Sequence, residues 1–274
     1  MKLRTLIASV AAVAVLGASA SAANAATYIG SGSVAAQPVL QALFAKYHKL
    51  HKNVKFVYTA NGGNAGIKDV QQGKSLFAGQ ARLPLPSDTG TTYIKLYLDG
   101  LCIDVNKANQ LSDISIDSLR NIYTGVATNW SSIAGSGLDT TIDPVGRDTN
   151  GGTYNFFLQA VLNNQLPSGN VNALTADGLV INAVKQDPNA IGYAGLAWQG
   201  SSKLHSTKVN GIPCEPKQVA SLKYPLSRYI FLVVPTENPN KGVLKFADWA
   251  RRDHAAGVVI GKAGGVPAFN KGFK

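Results

Sequence analysis

Stretches typical of β-strands alternate along this chain with stretches typical of helices, and this alternation constrains the fold more than any other feature. Residues 53–59 are rich in β-branched and aromatic side chains, and residues 229–235 form an apolar run of strand length. Residues 39–47, 115–123 and 245–252 instead repeat apolar side chains at helical spacing. The alternation predicts an α/β protein.

Residues 1–25 have the pattern of a secretory signal peptide. Two basic residues precede an apolar stretch of small residues over positions 5–20, and Ala-Asn-Ala at 23–25 offers a cleavage site before Ala26. A membrane anchor is the alternative, but the stretch is rich in alanine and ends without a charged stop. No cysteine follows it to carry a lipid. We therefore predict an exported, unlipidated mature protein.

Composition and charge narrow the classes of function. Hydrophobic residues make up 45% of the chain and charged residues 15%, as in a globular protein. The net charge of +11 becomes +9 once the two basic residues of the signal peptide are removed, which favours an anionic ligand or surface. Nucleic acid is not an expected partner, because no stripe of Lys and Arg interleaved with aromatic residues is present.

Three segments share one feature: a predicted strand enters a turn rich in Gly, Ser or Asn, and a helical pattern follows. We name them turn one (29–34, IGSGSV), turn two (60–66, ANGGNAG) and turn three (146–153, GRDTNGGT). A helix start presents unpaired N–H groups and partial positive charge, and glycines let the backbone approach a ligand. Three such turns, one of them carrying Arg147, predict a binding site for an oxyanion.

Patterns typical of catalytic centres are missing from the sequence. There is no G-x-S-x-G nucleophile elbow, no prominent pair of carboxylates and no C-x-x-C or Cys/His metal spacing. We therefore predict a binding protein that is not an enzyme and uses no cofactor or metal.

At the three turns the chain resembles a known family, the phosphate-binding proteins of bacterial ABC uptake systems, which have the type II periplasmic binding-protein fold. The resemblance covers nearly the whole mature chain. Its most specific block is LRNIYTGVATNW at 119–130. The other blocks are GSGSVAAQPV, GGNAGIKDVQQG, DGLCIDVNKAN, GRDTNGGTYNFF and YPLSR at 224–228.

The resemblance implies a two-lobed α/β fold with two crossover strands and a ligand cleft between the lobes. Lobe one would comprise residues 26–102 plus 228–274, and lobe two residues 103–227. It also implies a monomer in the periplasm, or secreted, that delivers phosphate or a related oxyanion to the membrane permease of an ABC transporter.

The resemblance also assigns the site residues, since this family binds its anion through the three turns. Turn one would supply the Ser33 hydroxyl and the Val34 N–H group. The residues implied in the other two turns are Gly63 and Asn64, and Arg147, Gly151, Gly152 and Thr153. An arginine fork suits an oxyanion better than a lysine does.

The chain departs from the family pattern at three positions of the site. Gly63 and Gly151 stand where the family has serines, and Arg82 stands where it has an aspartate that accepts the proton of hydrogen phosphate. Asp148 or a backbone carbonyl would have to accept that proton. Because of these changes, two alternative functions stay open. One is an exported surface or adhesion protein with a degenerate anion site, and the other is a secreted phosphatase.

Two cysteines remain in the mature chain, Cys102 and Cys214. Export permits a disulfide, and two separately buried thiols are the alternative. The family places both segments at or just before the crossovers, so the resemblance implies a Cys102–Cys214 disulfide.

Overall fold

A computed structural model describes residues 26–199, 204–270 and 272, and the predicted signal peptide lies outside these residues. The strands are β1 Ala26–Gly32, β2 Val54–Thr59, β3 Phe77–Gln80, β4 Thr91–Val105, β5 Asp113–Ile114, β6 Asp143–Arg147, β7 Asn172–Leu174, β8 Ala190–Gly195, β9 His205–Val209 and β10 Ser227–Pro235. The helices are α1 Gln37–Leu50, α2 Gly63–Gln71, α3 Ile116–Tyr123, α4 Gly152–Ala160, α5 Asp177–Gln186, α6 Pro216–Ala220, α7 Lys241–Arg252 and α8 His254–Lys262. Across the part of the chain described, none of the helices combines the length and apolar character needed to span a bilayer.

The strands form one curved sheet in the order β2-β1-β3-β10-β4-β8-β6-β7. At one end β1 pairs in parallel with β2 and β3, and at the other end β6 pairs in parallel with β7 and β8. The strands β10 and β4 run antiparallel to their neighbours between these two groups. The sheet thus consists of two parallel groups connected through antiparallel central strands.

Strand β4 changes partners along its length. Its residues 91–100 pair with β10, whereas residues 101–105 pair with β8. The N–H of Leu101 donates to the carbonyl of Leu226 at 2.9 Å, just before β10 begins. The start of β4 is hard to recognise in the sequence, because residues 91–95 are partly exposed and the strand lacks a continuous apolar run.

A separate hydrophobic core lies on each side of this change of partners. Tyr123, Trp130 and Phe157 are fully or almost fully buried in one core. Phe77 and Phe246 are fully buried in the other, beneath α1 and α7. Two cores on one sheet correspond to a two-lobed fold, each core covered by its own helices.

Helix ends follow the signals in the sequence. Pro38 lies in the first turn of α1, where its missing N–H costs nothing. The Ser115 side chain accepts from Ser118 N at 2.9 Å and caps α3, and Asn240 caps α7 in the same way. These caps fix where the helices begin.

The two cysteines are joined in the structure. Cys102 lies in β4 just after the change of partners, and Cys214 lies just before α6. Their Cα atoms are 5.5 Å apart and the two sulfurs form a disulfide. The disulfide links the segment just before α6 to β4, the strand that changes partners.

Candidate anion site

Turns one and two lie side by side because the strands before them are parallel neighbours. The register pairs Ser31 of β1 with Thr59 of β2, so both strands end at the same edge of the sheet. Gly62 N donates to Gly32 O at 2.9 Å, and Gly32 N donates to the Asn61 side chain at 2.9 Å. These bonds hold the two turns together.

Turn three, which follows a strand at the other end of the sheet, lies against turn two. Asn64 N donates to Asn150 O at 3.3 Å, and the Asn64 side chain donates to Thr149 O at 3.1 Å. The structure therefore brings the three turns into contact, with Asn64 as the link between turns two and three.

Helices α2 and α4 start at this junction with no side chain capping them. The N–H groups of Gly63, Gly152 and Thr153 donate to no acceptor within the described residues. Val34 N in turn one is likewise unpaired there, and all four residues are buried. Unpaired amides at two helix starts create positive potential that suits an anion.

Arg147 is fixed in turn three by residues at the end of β7 and the start of α5. Its side chain is 2% exposed and pairs with the buried Asp177, while Nε donates to Leu174 O at 3.1 Å and Nη2 to Thr175 O at 2.7 Å. A guanidinium carries five N–H groups, so these contacts leave one on Nη1 and one on Nη2 for a ligand.

Two further hydroxyls lie at the junction. Ser33 is 1% exposed, its backbone is fixed by bonds to Gly79 O and from the Tyr58 hydroxyl, and its Oγ has no partner among the described residues. The Thr153 Oγ1 accepts from Arg228 Nη1 at 3.2 Å, which leaves the hydroxyl hydrogen free to donate. Both hydroxyls can therefore donate to an anion.

Arg228 contributes more than the sequence indicated. In the sequence it stands out only as the last residue of the YPLSR block at 224–228. Its Nε and Nη2 donate to the same oxygen of Asp99 at 2.9 and 2.8 Å, and the pair is buried. Through Nη1 it orients Thr153, so it connects the central strands to turn three.

The Arg82 side chain lies beside turn two and forms an ion pair with Asp88. Its Nη atoms lie 2.6 and 3.0 Å from the carboxylate oxygens of Asp88, and its Nε donates to Asn64 Oδ1 at 3.0 Å. Burial alone would raise the pKa of Asp88, but bonds from Arg82, Tyr93 and Leu85 N lower it. The carboxylate thus stays ionised and neutralises Arg82, whose role in this geometry is to position Asn64.

A cavity of about 550 Å³ opens beside the junction and is lined by all three turns, including Val34, Gly62 and Arg147. It has room for an oxyanion with several waters, each of which occupies roughly 30 Å³ in the liquid. Asp148 also lines it. The Asp148 Oδ1 is buried, lies 3.9 Å from Arg147 Nη2 and has no hydrogen-bond partner among the described residues.

Two residues at the junction were missed by the sequence interpretation. Gln80 is the last residue of β3, the parallel neighbour of β1, so its position at the shared carboxyl edge was a usable signal. Asp177 gave no such signal, because its pairing with Arg147 depends on α5 packing against the end of β6.

Curated proteins similar to this chain are named as phosphate-binding proteins. The phosphate-binding protein PstS of Staphylococcus epidermidis is 29% identical over 264 residues, covering 89% of this chain and 80% of the relative. PstS of Staphylococcus aureus strain USA300 is also 29% identical, covering 89% and 79%.

Solved structures share the fold at lower identity. A phosphate ABC transporter substrate-binding protein of Clostridium perfringens, solved with bound phosphate, superposes with a TM-score of 0.82 at 24% identity, covering 89% of this chain and all of that one. An ABC-type phosphate transport receptor of Vibrio cholerae gives a TM-score of 0.72 at 22% identity, covering 87% and 99%. The predicted two-lobed periplasmic binding-protein fold is confirmed. The sequence matches the PBP superfamily domain over residues 17–253, most of the chain, and this protein therefore belongs to that superfamily.

Proposed function

We propose that this protein captures phosphate, or a closely related oxyanion, where its three turns meet. The observation that carries the proposal is the convergence of unpaired helix-start amides, two hydroxyls that can donate and Arg147 from both sides of one cleft. Relatives named for phosphate binding support the same ligand class.

The cleft would close by movement of two lobes, residues 26–102 plus 228–274 and residues 103–227. The change of partners in β4 at residues 100–101 supports a boundary there. The bonds from Asn64 to turn three would form on closure, because they join turns of different lobes.

Asp148 is the proposed acceptor for the proton of hydrogen phosphate. Asp148 lines the same cavity as Arg147, and its buried Oδ1 has no hydrogen-bond partner among the described residues. Such an oxygen needs a donor, and a protonated phosphate oxygen supplies one, whereas sulfate has none. Asp148 would thus replace the aspartate that Arg82 displaces.

Export, partner and assembly complete the proposal. The signal peptide pattern supports release of an unlipidated protein starting near Ala26, which intact mass of the exported protein tests. We propose a periplasmic or secreted monomer that hands its anion to the permease of an ABC transporter and performs no catalysis.

A thermal-shift screen tests the ligand. Purified mature protein is heated with phosphate, sulfate, molybdate and organic phosphates at equal ionic strength. An anion at 100 times its dissociation constant should add roughly 2.7 kcal/mol to the free energy of unfolding. Stabilisation by none of them favours the exported protein with a degenerate site, and hydrolysis of an organic phosphate favours the phosphatase.

A further inference from the structure

The side chain of Gln80 lies inside the junction of the turns. Gln80 is fully buried, and its Oε1 accepts from Ala81 N at 2.8 Å. A Cβ built onto Gly63 would lie 2.3 Å from this Oε1, and so would one built onto Gly152. The carboxamide therefore sits between the starts of α2 and α4.

The amide nitrogen of Gln80 has no partner. Its Nε2 is buried and donates to nothing among the described residues. Leaving a buried donor unpaired is costly, so such a group in a native site calls for an acceptor that binds there. Within the described part of the chain, the backbone amides of Gly63 and Gly152 around it are unpaired donors too. A cluster of unpaired donors is complementary to an oxyanion.

We propose that the Gln80 carboxamide is part of the anion site and donates from Nε2 to an oxygen of the bound anion. This inference rests on the proposed function. It would compensate for the serine that Gly63 replaces: Gly63 and Gly152 leave room for a long side chain from β3, and that side chain restores a donor. Gln80 and Gly63 are thus coupled, since a side chain at position 63 would occupy the space of the amide.

Replacement of Gln80 by methionine removes the hydrogen-bond donor but keeps most of the packing, because methionine has a similar length and no N–H group. Phosphate affinity is measured by calorimetry for wild type, Gln80→Met and Gln72→Met. Gln72 is exposed at the opposite end of α2 and serves as the matched control. Loss of one hydrogen bond to a charged ligand should weaken the affinity of Gln80→Met about tenfold to a hundredfold. Gln72→Met should bind like wild type.

A second pair of variants tests the same inference in case Gln80→Met also destabilises the protein. Gln80→Ala should bind weakly, and Gln80→Ala with Gly63→Ser should regain affinity because a serine hydroxyl then fits and donates. The φ of Gly63 is not in the left-handed region, so serine adds no backbone strain there.

One outcome would overturn this inference and leave the proposed function intact: wild type binds phosphate, and Gln80→Met or Gln80→Ala binds it equally well or more tightly. The Gln80 side chain would then only fill space in the junction. Failure of the double variant to regain affinity would also overturn the inference. If wild type binds no phosphate in the same titration, the proposed function fails first, and the role of Gln80 fails with it.

Discussion

Ser33 and Arg147 should contribute unequally to the site. Ser33→Ala removes one hydroxyl donor and should weaken phosphate binding about tenfold to a hundredfold. Arg147→Ala removes a charge and two available N–H groups, so its affinity loss should be at least as large. Calorimetric titration at fixed ionic strength measures both.

The matched control for Arg147 is Arg252→Ala. Arg252 pairs with Asp248 at 2.8 Å on the surface, where its side chain is 68% exposed, so its removal should leave phosphate affinity unchanged. Because Arg147→Ala leaves Asp177 buried without its cation, the variant is also made with Asp177→Asn. Unchanged affinity in the Arg147 variants would place the ligand elsewhere.

Asp104 should make stability depend on pH. Burial raises the pKa of this carboxyl to about 6, although hydrogen bonds from Gln199 and Ser206 oppose the shift. The folded state therefore binds the proton of this carboxyl more tightly than the unfolded state, in which the carboxyl has the ordinary aspartate pKa of 3.8. The resulting stabilisation is present at low pH and is lost as pH rises from about 4 to about 6.

Denaturant unfolding of wild type and Asp104→Asn between pH 4 and pH 7 tests this. The free energy of unfolding of wild type relative to Asp104→Asn should fall by about 2–3 kcal/mol across the window, since one pKa unit is about 1.4 kcal/mol. A constant difference would contradict the prediction, because it would show that folding leaves the pKa of Asp104 unchanged.

At the scale of elements, Gly62 controls how closely turn two approaches turn three. Its φ is +102°, and an added Cβ would lie 2.8 Å from Asn150 O in the opposing turn. Gly62→Ala should hold the lobes apart, weaken phosphate binding, and give a larger radius of gyration by small-angle X-ray scattering in saturating phosphate.

Gly73→Ala is the control for backbone strain. Gly73 also has positive φ, at +68°, but an added Cβ there meets nothing within 4 Å. It should lose about 1 kcal/mol of stability and keep wild-type affinity and shape. If both variants lost the same phosphate affinity and showed the same radius of gyration, backbone strain would explain the effect of Gly62→Ala. Contact between the turns would then not be the cause.

The elements differ in how well the sequence predicts them. Helix α1 and strand β10 were predictable because their burial follows a regular period or an apolar run. Strand β4 was not predicted at full length, because residues 91–95 are partly exposed and Lys95, Asp99 and Gly100 interrupt its apolar residues. The three turns were recognisable from composition, but the carboxamide of Gln80 between α2 and α4 was not, since that position depends on strand order and packing.

At the scale of the whole molecule, the Cys102–Cys214 disulfide should contribute much of the stability of the folded chain. It spans 112 residues of sequence, and loops of this size are expected to gain about 4–5 kcal/mol from the restricted unfolded chain. Cys102→Ser with Cys214→Ser should lower the free energy of unfolding by about 2–5 kcal/mol. Alkylation of unreduced exported protein checks the bond, and two reactive thiols would contradict it.

Capture of one phosphate by the closed cleft is the central claim, and calorimetric titration of the purified mature protein with phosphate tests it most directly. We predict saturable binding of one phosphate per chain, weakened in Ser33→Ala and unaffected in Arg252→Ala. A dissociation constant above about 1 mM, equivalent to less than about 4 kcal/mol of binding free energy, would contradict the claim. So would equal affinity in wild type and Ser33→Ala.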